Sequence, residues 1–268
     1  MAKAAGALIA AGGVLIAGGW AFAQRAPTLT ISDFVGVIEL ESVPGAALTV
    51  RVEPGVRLPG ATPPSVSRTG DRVDVSGGWP RGRSLSCVGP PGRSRLRVEG
   101  RDYALAALPR LVITAPPTLS LMVERSILQG GVGVIGEGRL ALINCSALRM
   151  GPVGGPLSVL LAGGASLSSG PVAGPLALTL ADGAKADVAS APEVSATLAG
   201  GAQARIRSGR SHLSLNAAGG ADFRHDGTVL SPQINAVGGA DISLAATEGS
   251  PRVATFGGAT VDLGRRKS

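Results

Sequence analysis

The chain has 268 residues and a formal net charge of +7, with 44% hydrophobic residues, 41 glycines and only 3% aromatics. Much of the apolar content is alanine, which would fill a globular core poorly. It suits a fold whose backbone ladders run the length of an elongated body, each layer needing only a thin filling. So few aromatics also argue against a nucleic-acid partner, because unpaired bases are held largely by stacking on aromatic rings.

Residues 1–23 read as an export signal. Lys3 supplies the positive start, Ala4 to Ala23 carries no charge, and Ala21-Phe22-Ala23 fits a small-x-small cleavage site, leaving Gln24 as the mature N-terminus. The same uncharged run is long enough to span a bilayer if retained. Its glycines and alanines make a poor anchor, so cleavage is favoured and membrane contact is expected only if the segment is kept. The expected location is periplasmic or extracellular.

Residues 24–110 form an N-terminal β-rich segment. Asp33-Phe34-Val35-Gly36-Val37-Ile38-Glu39-Leu40 and Ala47-Leu48-Thr49-Val50-Arg51-Val52 alternate as strands, with Pro44-Gly45 between them as a turn. An insert over 57–110 is rich in Pro, Gly and Arg, with short strand fragments at 72–75 and 95–98. Residues 51–110 hold eleven arginines against five acids, nearly the whole surplus of the chain. Guanidinium forks match carboxylate and phosphate. Arg81, Arg83, Arg93, Arg95, Arg97 and Arg101 are therefore candidate contacts for an acidic envelope polymer or protein partner, against the alternative that the composition is simply Arg-rich. Cys87 and Cys145 are the only cysteines. Either they pair, tying this segment to an early coil, or they remain two thiols, one of them in the lumen.

From Leu111 to Glu124 the apolar rhythm resumes, punctuated by Pro116-Pro117. Gly131-Val132-Gly133-Val134-Ile135-Gly136 matches a dinucleotide fingerprint, but that motif works only at the start of a helix. Here Gly138-Arg139-Leu140-Ala141-Leu142 follows, which alternates as a strand, so no nucleotide cofactor is expected.

A repeat then governs the rest of the chain. Gly163-Gly164-Ala165, Asp182-Gly183-Ala184, Gly200-Gly201-Ala202, Gly219-Gly220-Ala221, Gly238-Gly239-Ala240 and Gly257-Gly258-Ala259 recur at spacings of 19, 18, 19, 19 and 19 residues. Counting from the second residue of each, positions +1 and +3 are apolar in every unit, and +2 and +4 are polar or charged. This is the period-2 alternation of a half-buried strand. A second strand precedes the pair, with Leu157/Val159/Leu161, Leu176/Leu178/Leu180, Val194/Ala196/Leu198 and Leu213/Leu215/Ala217 alternating with polar residues. The glycines turn the corner between the two strands. Asn144-Cys145-Ser146 stands one period earlier. The chain is therefore read as all-β: a parallel β-solenoid of ~19-residue coils over 111–263, preceded by the β-rich cap and followed by a basic tail, 264–268. A β-sandwich is the alternative, although two-residue hairpins would not hold a 19-residue register. The Arg-rich insert is expected to cover the N-terminal end of the stack and the tail to guard the other.

No catalytic, cofactor or metal site is assigned. His212 and His225 are read as solvated surface histidines. Asp222 and Asp241 share an outward position on consecutive coils, where Arg224 is expected to neutralise them or a cation such as calcium to bridge them. The outward positions are mostly Ser, Thr, Asn and Gln. The function expected is a non-enzymatic, adhesin-like surface that contacts envelope polymers or partner proteins. The alternative is a polysaccharide lyase or hydrolase of the β-helix type.

Residues 28 to 263 resemble the auto-transporter adhesin head GIN domain family of bacterial envelope proteins. The likeness rests on Phe34-Val35-Gly36-Val37, Leu48-Thr49-Val50-Arg51-Val52, Leu111-Val112-Ile113-Thr114-Ala115-Pro116-Pro117-Thr118-Leu119 and the glycine pairs that follow. Gly-Gly-Ala stands here for the family's usual phrase, and the 57–110 insert is longer and more basic. The resemblance implies an exported β-solenoid with no established biochemical activity and no catalytic residues to carry over.

Overall fold

The computed structural model describes residues 26–79, 85–89 and 94–267. The expected export signal lies outside them. The fold is a parallel β-solenoid whose coils have three sides. The first side stacks Glu137–Ile143, Leu157–Ala162, Pro175–Leu180, Glu193–Leu198 and the middle of Arg210–Ala218 in parallel register. The second side stacks Ala147–Met150, Ser166–Ser169, Lys185–Val188, Gln203–Ile206 and the start of Asp222–Val237. The third side is short. It begins as single bridges, Ile135 to Val153 and Val153 to Val172, and becomes a ladder from Arg210–His212 through Thr228–Leu230 and Ala246–Glu248 to Arg265–Lys267.

Between the first and second sides the backbone turns through the left-handed region. Gly163, Gly200, Gly219 and Gly238 have φ between 61° and 65°, and Asn144 and Asp182 occupy the same place at 56° and 53°. Asn and Asp tolerate this region better than other side-chain-bearing residues. In the middle of the stack the next residue of the corner donates its N–H to the following coil. Gly164 donates to the Asp182 carbonyl at 3.0 Å, Gly183 to Gly200 at 3.0 Å and Gly201 to Gly219 at 3.1 Å. The ladder thus runs through the corner unbroken. Just inside it, Ala165, Ala184, Ala202, Ala221 and Ala240 are fully buried in a lumen filled mainly by Leu, Val and Ile.

Stack order departs from chain order at the N-terminus. Thr28–Ser32 and Val35–Ser42 form a coil directly against Ser120–Val132, in parallel register. The chain then leaves the stack and returns on its outer side as Arg72–Ser76 and Arg110–Ala115. These are closed off by antiparallel strands, Ser65–Thr69 against the first and Thr49–Glu53 against the second. So the two strands flanking Pro44-Gly45 do not pair with each other; both pair with Arg110–Ala115. Part of the insert does cover the N-terminal end, through the hairpin 65–76. The rest, a three-stranded antiparallel sheet of Leu85–Val88, Arg95–Val98 and Arg101–Ala104, packs on the corner instead. It covers a second buried cluster outside the lumen, including Val35, Leu58, Leu96, Val98, Ile127 and Cys145.

Cys87 and Cys145 pair as a disulfide, with their Cα atoms 5.5 Å apart and a sequence separation of 58. Cys145 belongs to the outer cluster, not to the lumen. Closing a loop of this length contributes about 4 kcal/mol in the chain-entropy picture, and it holds the small sheet onto the coils. The basic tail does not lie across the far end; Arg265–Lys267 continues the third side as a strand.

The corner conformation makes a graded prediction. Gly219→Val should lower stability by about 1–2 kcal/mol, because a Cβ is disfavoured at this φ. Gly219→Asn should cost less than half as much, since Asn144 already occupies the equivalent place. Urea midpoints of the two variants beside the parent check the order; equal losses would contradict it.

Candidate polymer-binding groove

Side chains at alternate positions of the second side face out, because the strand alternation leaves only one face for the lumen. They form two parallel files. One runs Gln129, Ala147, Ser166, Lys185, Gln203, Asp222, Asp241 and Thr260; the other runs Gly131, Arg149, Ser168, Asp187, Arg205, Arg224, Ser243 and Asp262. Small residues in the early coils leave a shallow groove of about 860 Å³ between Gln129 and Asp222. It crosses six coils, or roughly 24 Å at ~4.8 Å per strand.

Arg149, Lys185, Arg205 and Arg224 line this groove together with Asp187 and Asp222. Three guanidiniums on this side are held in place. Asp226, past the end of the second file, accepts from Arg224 at 2.6 Å and from Arg205 at 2.7 Å, and Asp187 accepts from Arg207 at 2.6 Å. Burial works against the charge on Asp226, but the bonds from Arg224 and Arg205 prevail and hold its carboxyl below the usual range. Arg149 and Lys185 are exposed and form no ion pair with a described residue. The groove therefore offers oriented guanidiniums at one end and two uncommitted cations further along, with Ser166 and Ser168 on its floor.

Asp222 and Asp241 are cross-strand neighbours, as their spacing requires. Arg224 takes Asp226 as its hydrogen-bonded partner, and Asp241 accepts from the Thr260 hydroxyl at 2.9 Å. No group of three metal-ligating side chains occurs among the described residues. The glycines of 131–136 enter the strand Glu137–Ile143 and not a helix, which removes the setting a dinucleotide fingerprint needs.

Of the arginines expected to contact a polymer, Arg95, Arg97 and Arg101 are exposed on the small three-stranded sheet, Arg95 and Arg97 on one face and Arg101, cross-strand from Val98, on the other. Arg97 is committed to Asp102 through two bonds of 2.6 and 3.0 Å, which hold the Asp102 carboxyl below its usual range. Arg81, Arg83 and Arg93 lie outside the described residues. The groove itself escaped the sequence reading. Its signal was present, since Arg149, Arg205 and Arg224 share position +4, but the net charge of the coils is small and diverted attention to the insert.

His225 is a correction. It is fully buried, whereas His212 is exposed as expected. Position +5 continues the inward alternation of +1 and +3; Val188, Ile206 and Leu244 fill it in other coils. Reading one step further along the strand would have found it. Gly227 donates its N–H to His225 Nδ1 at 3.1 Å, so the ring proton resides on Nε2, which donates to Ser211 Oγ at 2.9 Å. Ser211 donates in turn to the Ala191 carbonyl at 2.6 Å. The serine proton points away from the imidazole and both side chains are shut off from solvent, so the pair is not an activated nucleophile. Its polar atoms are satisfied, as burial demands.

Comparison with family models, characterised proteins and solved structures gives no match.

Burial pushes the imidazole of His225 below the ordinary histidine range, despite the opposing influence of nearby Asp226. An unfolded histidine, with a pKa of ~6.5, then binds a proton more readily than the folded one. Stability should be full above that value and fall as the pH drops through it. His225→Leu, matching Leu244 in the next coil, should flatten this part of the profile in urea titrations between pH 7.5 and 5. An unchanged slope would show that the buried ring is not its source.

Proposed function

We propose that the chain is an exported, non-enzymatic, adhesin-like protein of the cell envelope that holds a linear acidic polymer along the second side of its solenoid. The observation that carries this reading is the groove. It crosses six coils and presents Arg149, Arg205 and Arg224 in one file, with Lys185 in the file beside it. A linear chain bearing carboxylates or phosphates matches that repeat, and guanidiniums already fixed by Asp226 lose little freedom on binding. Arg95, exposed on the outer face of the small sheet, adds a cation beside the early coils. The resemblance to the GIN domain family supports an envelope setting.

Affinity electrophoresis through gels containing polygalacturonate or polyphosphate, with neutral dextran as control, tests this. The acidic polymers should retard the protein, and added salt should weaken the effect. Arg149→Ala with Lys185→Ala should weaken binding about tenfold, on the scale of hydrogen bonds to charged groups. Arg95→Ala with Arg101→Ala should leave most of it. Parent-like binding by the groove variant, or no retardation of the parent by either polymer, would overturn the proposal.

A further inference from the structure

The two ends of the stack differ. Antiparallel strands close the N-terminal end, as described above. At the C-terminal end, Arg252–Phe256, Thr260–Asp262 and Arg265–Lys267 pair, among the described residues, only with the preceding coil. No described residue covers the lumen there. Val253 stacks on Ile234 in the inward file, yet it is 42% exposed against 2% for Ile234, and Phe256, on the outer face of the same strand, is 67% exposed. The Phe256 carbonyl accepts from Gly238 N–H at 3.0 Å, pointing back into the stack. By the alternation of a parallel ladder, Arg252, Ala254 and Phe256 bond backwards, while Val253 and Thr255 turn their N–H and C=O groups to the open edge. Such an edge is a template for another strand.

We propose that this end is a two-fold interface with the same end of a second copy of the chain. A two-fold axis through Ala254 pairs the strand 252–256 with its own copy in antiparallel register. Val253 and Thr255 then face Thr255 and Val253 of the second copy, and the four free amide groups of each strand edge meet as closely spaced hydrogen-bonded pairs. Arg252 falls opposite Phe256 of the second copy, on the same outer face, as a cation–π pair. The coil length carries the match further. With 19 residues per turn, the same axis lays Thr260–Asp262 antiparallel over Arg265–Lys267 of the second copy and sets Asp262 against Arg265. Both belong to outward files, so opposite charges meet twice across the axis. Val253 and Val261 gain the apolar cover that inward residues have in every other coil. Arg266 is the one misfit, because it stacks on buried Thr247 in an inward file.

Light scattering on the purified full chain tests the interface, independently of polymer binding. The chain should behave as a dimer of twice its 26.5 kDa mass. Phe256→Asp and Val253→Asp should each give a folded monomer, judged by circular dichroism. Asp262→Arg or Arg265→Asp alone should weaken the dimer roughly tenfold, the scale of a doubled surface ion pair, and the two together should restore it. Arg266→Leu should tighten it. A parent that is monomeric at its highest soluble concentration would overturn the proposal. So would a dimer indifferent to residues 253, 256 and 262, or a charge exchange that fails to rescue.

Discussion

The structure depends on the left-handed corner between the first and second sides. In the repeated corners two consecutive left-handed residues, the first with φ near +60° and the second a glycine with φ of 73° to 80°, reverse the chain while the N–H of the second is aimed at the next coil in the middle of the stack. Every coil must place such a residue at the same point, or the ladders on both flanking sides lose register together. That requirement explains why glycine, asparagine and aspartate fill the corner and why the period is held so closely. It also explains how alanine can serve as core: beside a glycine corner the lumen is narrow, and a methyl group fills it. Long hydrogen-bonded ladders carry much of the order that larger side chains supply in a globule.

The same constraint makes a ruler of the outer surface. Once inward positions are taken by the lumen, outward residues stack into straight files at the strand spacing. A sequence that varies only those positions writes a linear pattern of charge without disturbing the fold. The second side uses this freedom for cations, and Asp187 within it and Asp226 at its edge fix three of the guanidiniums. The first side uses it for small hydroxyls and amides, such as Asn216 and Asn235, whose side chains bond at 3.0 Å. The small disulfide-tied sheet is a separate solution. It shields apolar residues on the outside of the corner, which the narrow lumen cannot take in.

The repeat and its alternation made the solenoid legible, because period and burial are local properties of the chain. The corner at Asn144 could be seen for the same reason. What stayed hidden is non-local. Nothing in residues 28–42 says that their coil sits between 110–115 and 120–132, since that depends on which strand edges remain free after the chain turns back. Cys145 looks like a lumen residue by spacing, yet it lies at a corner where the side chain points outward into the second cluster. His225 was misjudged because a polar residue was assumed to face water, although its place in the alternation puts it inside. The groove was hidden by averaging, for nearly balanced charges over 158 residues conceal four cations gathered on two neighbouring files.

The central claim is that a linear acidic polymer lies along the second side, and lysine chemistry tests it most directly. The chain has three lysines, of which Lys185 stands in the groove and Lys267 on the last strand of the third side. Acetylation with an amine-reactive reagent, with and without polygalacturonate, can be read at both positions by mass spectrometry. Protection of Lys185 with Lys267 unchanged is the predicted result. Equal protection at both, or none at Lys185 while the polymer is bound, would contradict the account and move the contact off the groove.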